Sequence, residues 1–190
     1  RLFGHNEEME GEPLPLPFMV MATWNQKEPF NGDCPEADGM PCAAGCGPIA
    51  MAQILSYYRQ PAQGHGHAAY DYDYNGVSKD IDADFDSHPF DCDNIRDVYS
   101  ESSSDTERKA VANLVYMTGV AMKQMYSPTA TSTVNPGTWM WGLQHYMHLS
   151  PTSRWLHRKY YSTAEWTDII NSQLEAGHPV FYNAAHTAPY

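Results

Sequence analysis

With 190 residues and a formal net charge of −12, the chain is long enough for one domain with a substantial core. Such an acid excess argues against a nucleic-acid partner, whose phosphates call for clustered Lys and Arg. The longest apolar run, around Phe18-Met19-Val20-Met21-Ala22, is far too short to span a bilayer, and the start at Arg1 leaves targeting unreadable.

Residues 1–23 are acidic and then Pro-rich (Glu7, Glu8, Glu10 and Glu12 before Pro13, Pro15 and Pro17), which reads as an extended arm or propeptide remnant. Trp24-Asn25-Gln26 and Pro29-Phe30-Asn31 form an irregular polar run with aromatic anchors. Ala44-Gly45-Cys46-Gly47-Pro48 then opens an apolar stretch with Ile49, Ala52 and Leu55 at spacing three, and Ala50 and Ile54 at spacing four. That pattern predicts a helix packed on most sides and ending before Pro61, with Pro48 tolerated in its first turn. A thiol at such a helix start faces the positive pole and free backbone N–H groups, which favours the nucleophilic thiolate. Equally, a cysteine there reads as an inert small hydrophobe capping a core helix. Gln26, about twenty residues before Cys46, reads either as a solvated loop amide or as a donor, beside the Cys46 backbone N–H, to a developing oxyanion. Of the other cysteines, Cys34, Cys42 and Cys92 leave a disulfide open, and Cys42 with Cys46 lacks the second cluster a structural zinc site needs.

Further along, Ala62 to Ala69 reads as loop, and Gly64-His65-Gly66-His67 within it brings two histidines but no third metal ligand at useful spacing. Tyr70-Asp71-Tyr72-Asp73-Tyr74 alternates ahead of Asn75-Gly76, the mark of a half-exposed strand entering a turn. The Asp-rich stretch 80–97 reads mostly as solvated loop, since the calcium-loop spacing is missing. Ser104 and Glu107 form a capping box for a helix from Thr106 to about Met122, with Val111, Leu114, Val115, Thr118 and Met122 inward. Asn135-Pro136 starts a helix over Gly137 to Met147, burying Trp139, Leu143, Tyr146 and Met147. On it, His145 and His148 have a ligand spacing but packing neighbours. A second box, Ser162 with Glu165, starts a helix from Thr163 to Ala176 closed by Gly177, and Pro179 to Tyr182 reads as a strand. The pattern is α+β, without internal repeats.

Taken together, these residues resemble the streptopain family of secreted bacterial cysteine peptidases, of the papain-like superfamily. The resemblance rests on Asn25 to Asn31, Gly45 to Ile54, Tyr57-Tyr58 with Pro61 and Gly64, the Tyr-rich strand, Glu165-Trp166 and Pro179-Val180-Phe181-Tyr182. It implies a peptidase domain over residues 24–190, with Cys46 as nucleophile and Gln26 in the oxyanion hole. It also implies a secreted, broad-range endopeptidase made as a zymogen, acting on proteins or peptides with no cofactor or metal. Gly47-Pro48-Ile49 departs from the family's Val-Ala-Thr and looks more like the bacteriocin-leader-processing peptidases. The chain reaches His186 without the apolar strand that follows the family's histidine. We therefore expect the helical half to carry the nucleophile against an antiparallel sheet incomplete in this chain. His186 is then the fallback base, and a C-terminal segment of roughly 60–100 residues supplies the rest. Two other readings stand beside this one: a papain-like binding or inhibitory module without a competent dyad, and an amidase acting on cell-wall peptides.

Overall fold

The computed structural model describes residues 19–133 and 136–184. In chain order these form β1 (Glu36–Ala37), β2 (Met40–Pro41), α1 (Cys46–Tyr58), β3 (His67–Tyr74), β4 (Val77–Asp84) and α2 (Asp105–Ala121). They continue with β5 (Gln124–Met125), β6 (Ser132–Thr133), α3 (Pro136–Tyr146) and α4 (Thr163–Glu175). The class is α+β, and the strands pair as three separate antiparallel ladders of two.

The core is built around α2. Ser104 accepts the Glu107 N–H at 3.3 Å and Glu107 Oε2 accepts the Ser104 N–H at 2.8 Å, so the expected capping box closes its N-terminus. All five residues expected inward are buried, and so are Ala110, Ala112, Met117, Val120 and Ala121 between them, so α2 is enclosed by its neighbours. One of these is α1. Arg59, in the left-handed region at φ 52°, ends α1 by donating its N–H to Ser56 O at 3.0 Å, ahead of Pro61. Helix α1 buries Pro48, Ile49, Met51, Ala52 and Leu55 but leaves Ala50 and Ile54 half-exposed, so it is not covered on most sides. Helix α3 approaches α2 so closely that a Cβ on Gly142 would stand 1.8 Å from Ala121 O. Trp139, Leu143, Tyr146 and Met147 are buried as the periodicity predicts, while Asn135 lies outside the described residues.

Two further expectations need correction. Residues 67–69 and 80–84 are not loop: they belong to β3 and β4, which pair along their whole length from His67↔Asp84 to Tyr74↔Val77. Asn75 (φ 54°) and Gly76 (φ 81°) make the two-residue turn, both with the positive φ such hairpins require. Ile81 and Ala83 face inward beside Ala68 and Tyr72, and the aspartates between them take the outer face. The second correction concerns residues 179–182, which join no ladder among the described residues. An extended segment becomes a strand only where a neighbouring backbone pairs with it. Here side chains hold it, with Phe181 edge-on to Trp139 at 6.0 Å and Tyr182 against Trp166 at 6.0 Å. The second capping box, Ser162 with Glu165, starts α4 as expected.

Candidate active site

Cys46 is the first residue of α1 and is exposed. Gly45 precedes it at φ 91°, conformationally open to glycine, and its carbonyl accepts the Ile49 N–H at 3.2 Å to begin the helix. No side chain caps this end, so the first backbone N–H groups stay available beside the thiol. Met122 backs the first turn, since its Cε would lie 3.1 Å from a Cβ on Gly47.

The segment carrying Gln26 is anchored from behind. Trp24 donates its indole N–H to Arg96 O at 2.9 Å and stacks on Phe30 at 5.7 Å, and Phe30 meets the edge of Tyr99 at 5.4 Å. Asn25 Oδ1 accepts the Lys27 N–H at 2.8 Å, turning the chain at Gln26. The two segments are then tied together: Ala44 donates its N–H to Gln26 O at 3.0 Å, and Asn31 donates its amide to Cys42 O at 2.8 Å. The result is an open cleft of about 700 Å³. Residues 24–28 form one wall, and Cys46, Ile49, Ala50 and Gln53 form the other. Gln26 is exposed on it, its amide free to donate to a group bound there. A thiol and an amide donor flanking one opening can attack a carbonyl carbon and hold the oxygen that becomes negative.

The remaining thiols sit differently. All four cysteines are free. Burial pushes the Cys34 thiol up to about 12, and burial also raises Cys42 and Cys92, so these three are protonated at neutral pH.

The described histidines lie elsewhere, and none lines the cleft. His65 pairs with Asp86 at 2.9 Å and His67 with Asp82 at 2.8 Å. His145 stacks on Trp141 at 4.7 Å, and His178 contacts Gln173 at 3.3 Å. Among the described residues, no three His, Cys, Asp or Glu side chains converge as metal ligands. His186 lies outside the described residues. Sequence reading assigned nothing to Gln124, which is buried with its Oε1 2.8 Å from where a Gly45 Cβ would stand. No local pattern marks it, because its partner is remote in sequence.

The sequence profile of the peptidase C10 family matches residues 24–189. The chain belongs to that family. It is 23% identical over 173 residues to streptopain of Streptococcus pyogenes, a match covering 84% of this chain and 43% of streptopain. It is 24% identical over 163 residues to the thiol protease/hemagglutinin PrtT of Porphyromonas gingivalis, across 85% of this chain and 18% of PrtT. Active interpain A, a cysteine protease of Prevotella intermedia, superposes with a TM-score of 0.77 at 29% identity, over 84% of this chain and 65% of interpain A. A fragment of its precursor, prointerpain A, gives 0.76 at 30% identity, over 84% of this chain and 51% of the fragment. The chain therefore shares their fold and spans less than half the length of streptopain. No described helix is long and apolar enough to cross a membrane.

Proposed function

We propose that the protein is a cysteine endopeptidase in which Cys46 is the nucleophile and Gln26 the oxyanion donor. The observation that carries this reading is the shared cleft: the only exposed cysteine among the described residues faces Gln26 across it, joined through the Ala44 N–H to Gln26 O bond. Membership of the peptidase C10 family supports it. The Cys46 thiolate adds to the scissile carbonyl carbon, and the oxyanion accepts hydrogen bonds from the Gln26 amide and the Cys46 backbone N–H. An imidazolium gives its proton to the leaving amine as the C–N bond breaks, leaving a thioester. Water, deprotonated by the same imidazole, then attacks the thioester carbonyl, and the C–S bond breaks to release the acid and restore the thiolate and imidazolium. That imidazole comes from outside the described residues, from His186 or from a histidine in a following segment that completes the domain. The unpaired run 179–182 and the 43% coverage of streptopain are consistent with such a segment. A zymogen form, in which residues 1–23 belong to or follow a propeptide, and secretion are further parts of the proposal, supported by the likeness to prointerpain A and streptopain.

The test is casein hydrolysis by the full-length protein. Cys46→Ala should abolish it, and Gln26→Ala should lower kcat by about 10²–10³-fold with the chain still folded. Full turnover by Cys46→Ala refutes the assignment. A binding module without catalysis is the second reading, favoured by the lack of a histidine on the cleft walls. Substrate binding without hydrolysis in the full-length protein would establish it.

A further inference from the structure

The loop between β5 and β6 packs against the segment before Cys46. Thr131, in that loop, donates its hydroxyl proton to Ala43 O at 2.6 Å, a contact between residues 88 apart in sequence. Its oxygen also accepts the Ser127 N–H at 3.0 Å, and the Ala43 N–H donates to Ser127 O at 2.9 Å. Ala43 is thus held at both backbone groups by one loop. Ala44, the next residue, donates to Gln26 O at 3.0 Å. The methyl branch of Thr131 covers Gly45, lying 3.2 Å from where a Cβ there would stand. Thr131 therefore constrains both residues that flank Ala44, and only Gly45 separates Ala44 from Cys46.

We propose that Thr131 is a positioning residue for Cys46: its hydroxyl fixes the Ala43 carbonyl and so sets the separation between the thiol and Gln26. The proposal rests on reading Cys46 as the nucleophile. Thr131 touches no reacting atom and acts only through the backbone. Small displacements of a reacting group are costly, since about 1 Å of misplacement lowers rates by up to roughly 10²-fold.

Alkylation of Cys46 by iodoacetamide, followed by mass spectrometry from about pH 5 to about pH 9, reads the thiol directly and needs no base or substrate. Thr131→Val keeps the shape and removes the hydroxyl. It should slow Cys46 alkylation about tenfold and change its pH profile, while Thr131→Ser restores both. In casein hydrolysis by the full-length protein, the valine variant should lower kcat and leave KM unchanged. If the valine chain loses its cooperative melt, Thr131→Ser against Thr131→Ala, which differ by the hydroxyl alone, makes the same comparison. A wild-type rate and profile in Thr131→Val overturns the positioning role, as does a serine variant altered as much as valine. A wild-type chain whose Cys46 reacts no faster than Cys92 overturns the nucleophile reading itself, and the two failures are distinct.

Discussion

Cys46 and Cys34 carry the same thiol in opposite settings, one exposed at a helix start and one buried with its thiol pushed up to about 12. Reactivity follows the thiolate and its access, so one brief iodoacetamide pulse on the folded protein should label Cys46 alone. Cys34 and Cys42 should react only after urea is added, with the modified sites read by mass spectrometry. Labelling of Cys34 before Cys46 would contradict the geometry. The position of Cys46 at a helix start was legible in the sequence, because that pattern is local. Gly45, Pro48 and the apolar spacing all lie within a few residues of Cys46. Gln26 stood as one of two readings, a solvated loop amide or a donor, until the family resemblance implied the oxyanion hole. Gln124 and Thr131 were not legible at all, since they meet the Cys46 segment through tertiary contacts, in the case of Thr131 across 88 residues.

Helix ends and helix crossings hold the site's supports in place. Hydrogen bonds from Ser104 and from the Arg96 guanidinium hold the Glu107 carboxyl below its ordinary value of 4.5, and hydrogen bonds from the Ser162 side chain and backbone do the same for Glu165. A depressed carboxyl pKa stabilises the fold above the unfolded value and loses that contribution as pH falls through the folded one. Glu107→Gln should therefore lower Tm slightly at pH 7 and match wild type well below pH 4.5, by calorimetry at both pH values. A difference that persists unchanged in acid would refute the linkage. The crossing of α2 and α3 is less tolerant. With Ala121 O only 1.8 Å from a Cβ on Gly142, Gly142→Ala must push the helices apart. Overpacking of this kind costs about 1–3 kcal/mol, and a lowered urea midpoint would show it. All four helices from Cys46 onward and both capping boxes were legible because caps and periodicity are local. Strand β4 was not, because aspartate is uncommon in strands and its outward positions disguised the inward alternation of Ile81 and Ala83. The strand expected at 179–182 joins no ladder among the described residues for another reason: pairing depends on a neighbour that the segment's own sequence does not specify.

At the scale of the molecule, the net charge of −12 is unevenly spread. The inward alternation of the β3–β4 hairpin leaves Asp71, Asp73, Asp80, Asp82 and Asp84 on its outer face, where Asp71 stands directly opposite Asp80. Only His67, bonded to Asp82 at 2.8 Å, places a group able to carry positive charge among them. Like charges facing each other across a ladder destabilise it, and excess charge of one sign opposes compaction. Both effects act through solvent at exposed sites, so dissolved salt screens them, with a Debye length of about 10 Å at 0.1 M. Stability should therefore rise with sodium chloride, most steeply below about 0.1 M. Asp71→Lys would replace the repulsion with an attraction to Asp80, worth roughly 0.2–1 kcal/mol. The variant should melt higher than wild type at low salt, and the two curves should converge as salt is added. Thermal melts of both chains across a salt series measure this directly. A wild-type Tm that falls with salt, or a lysine variant that melts lower at every concentration, would show that the acidic face is held by contacts other than those between its own strands.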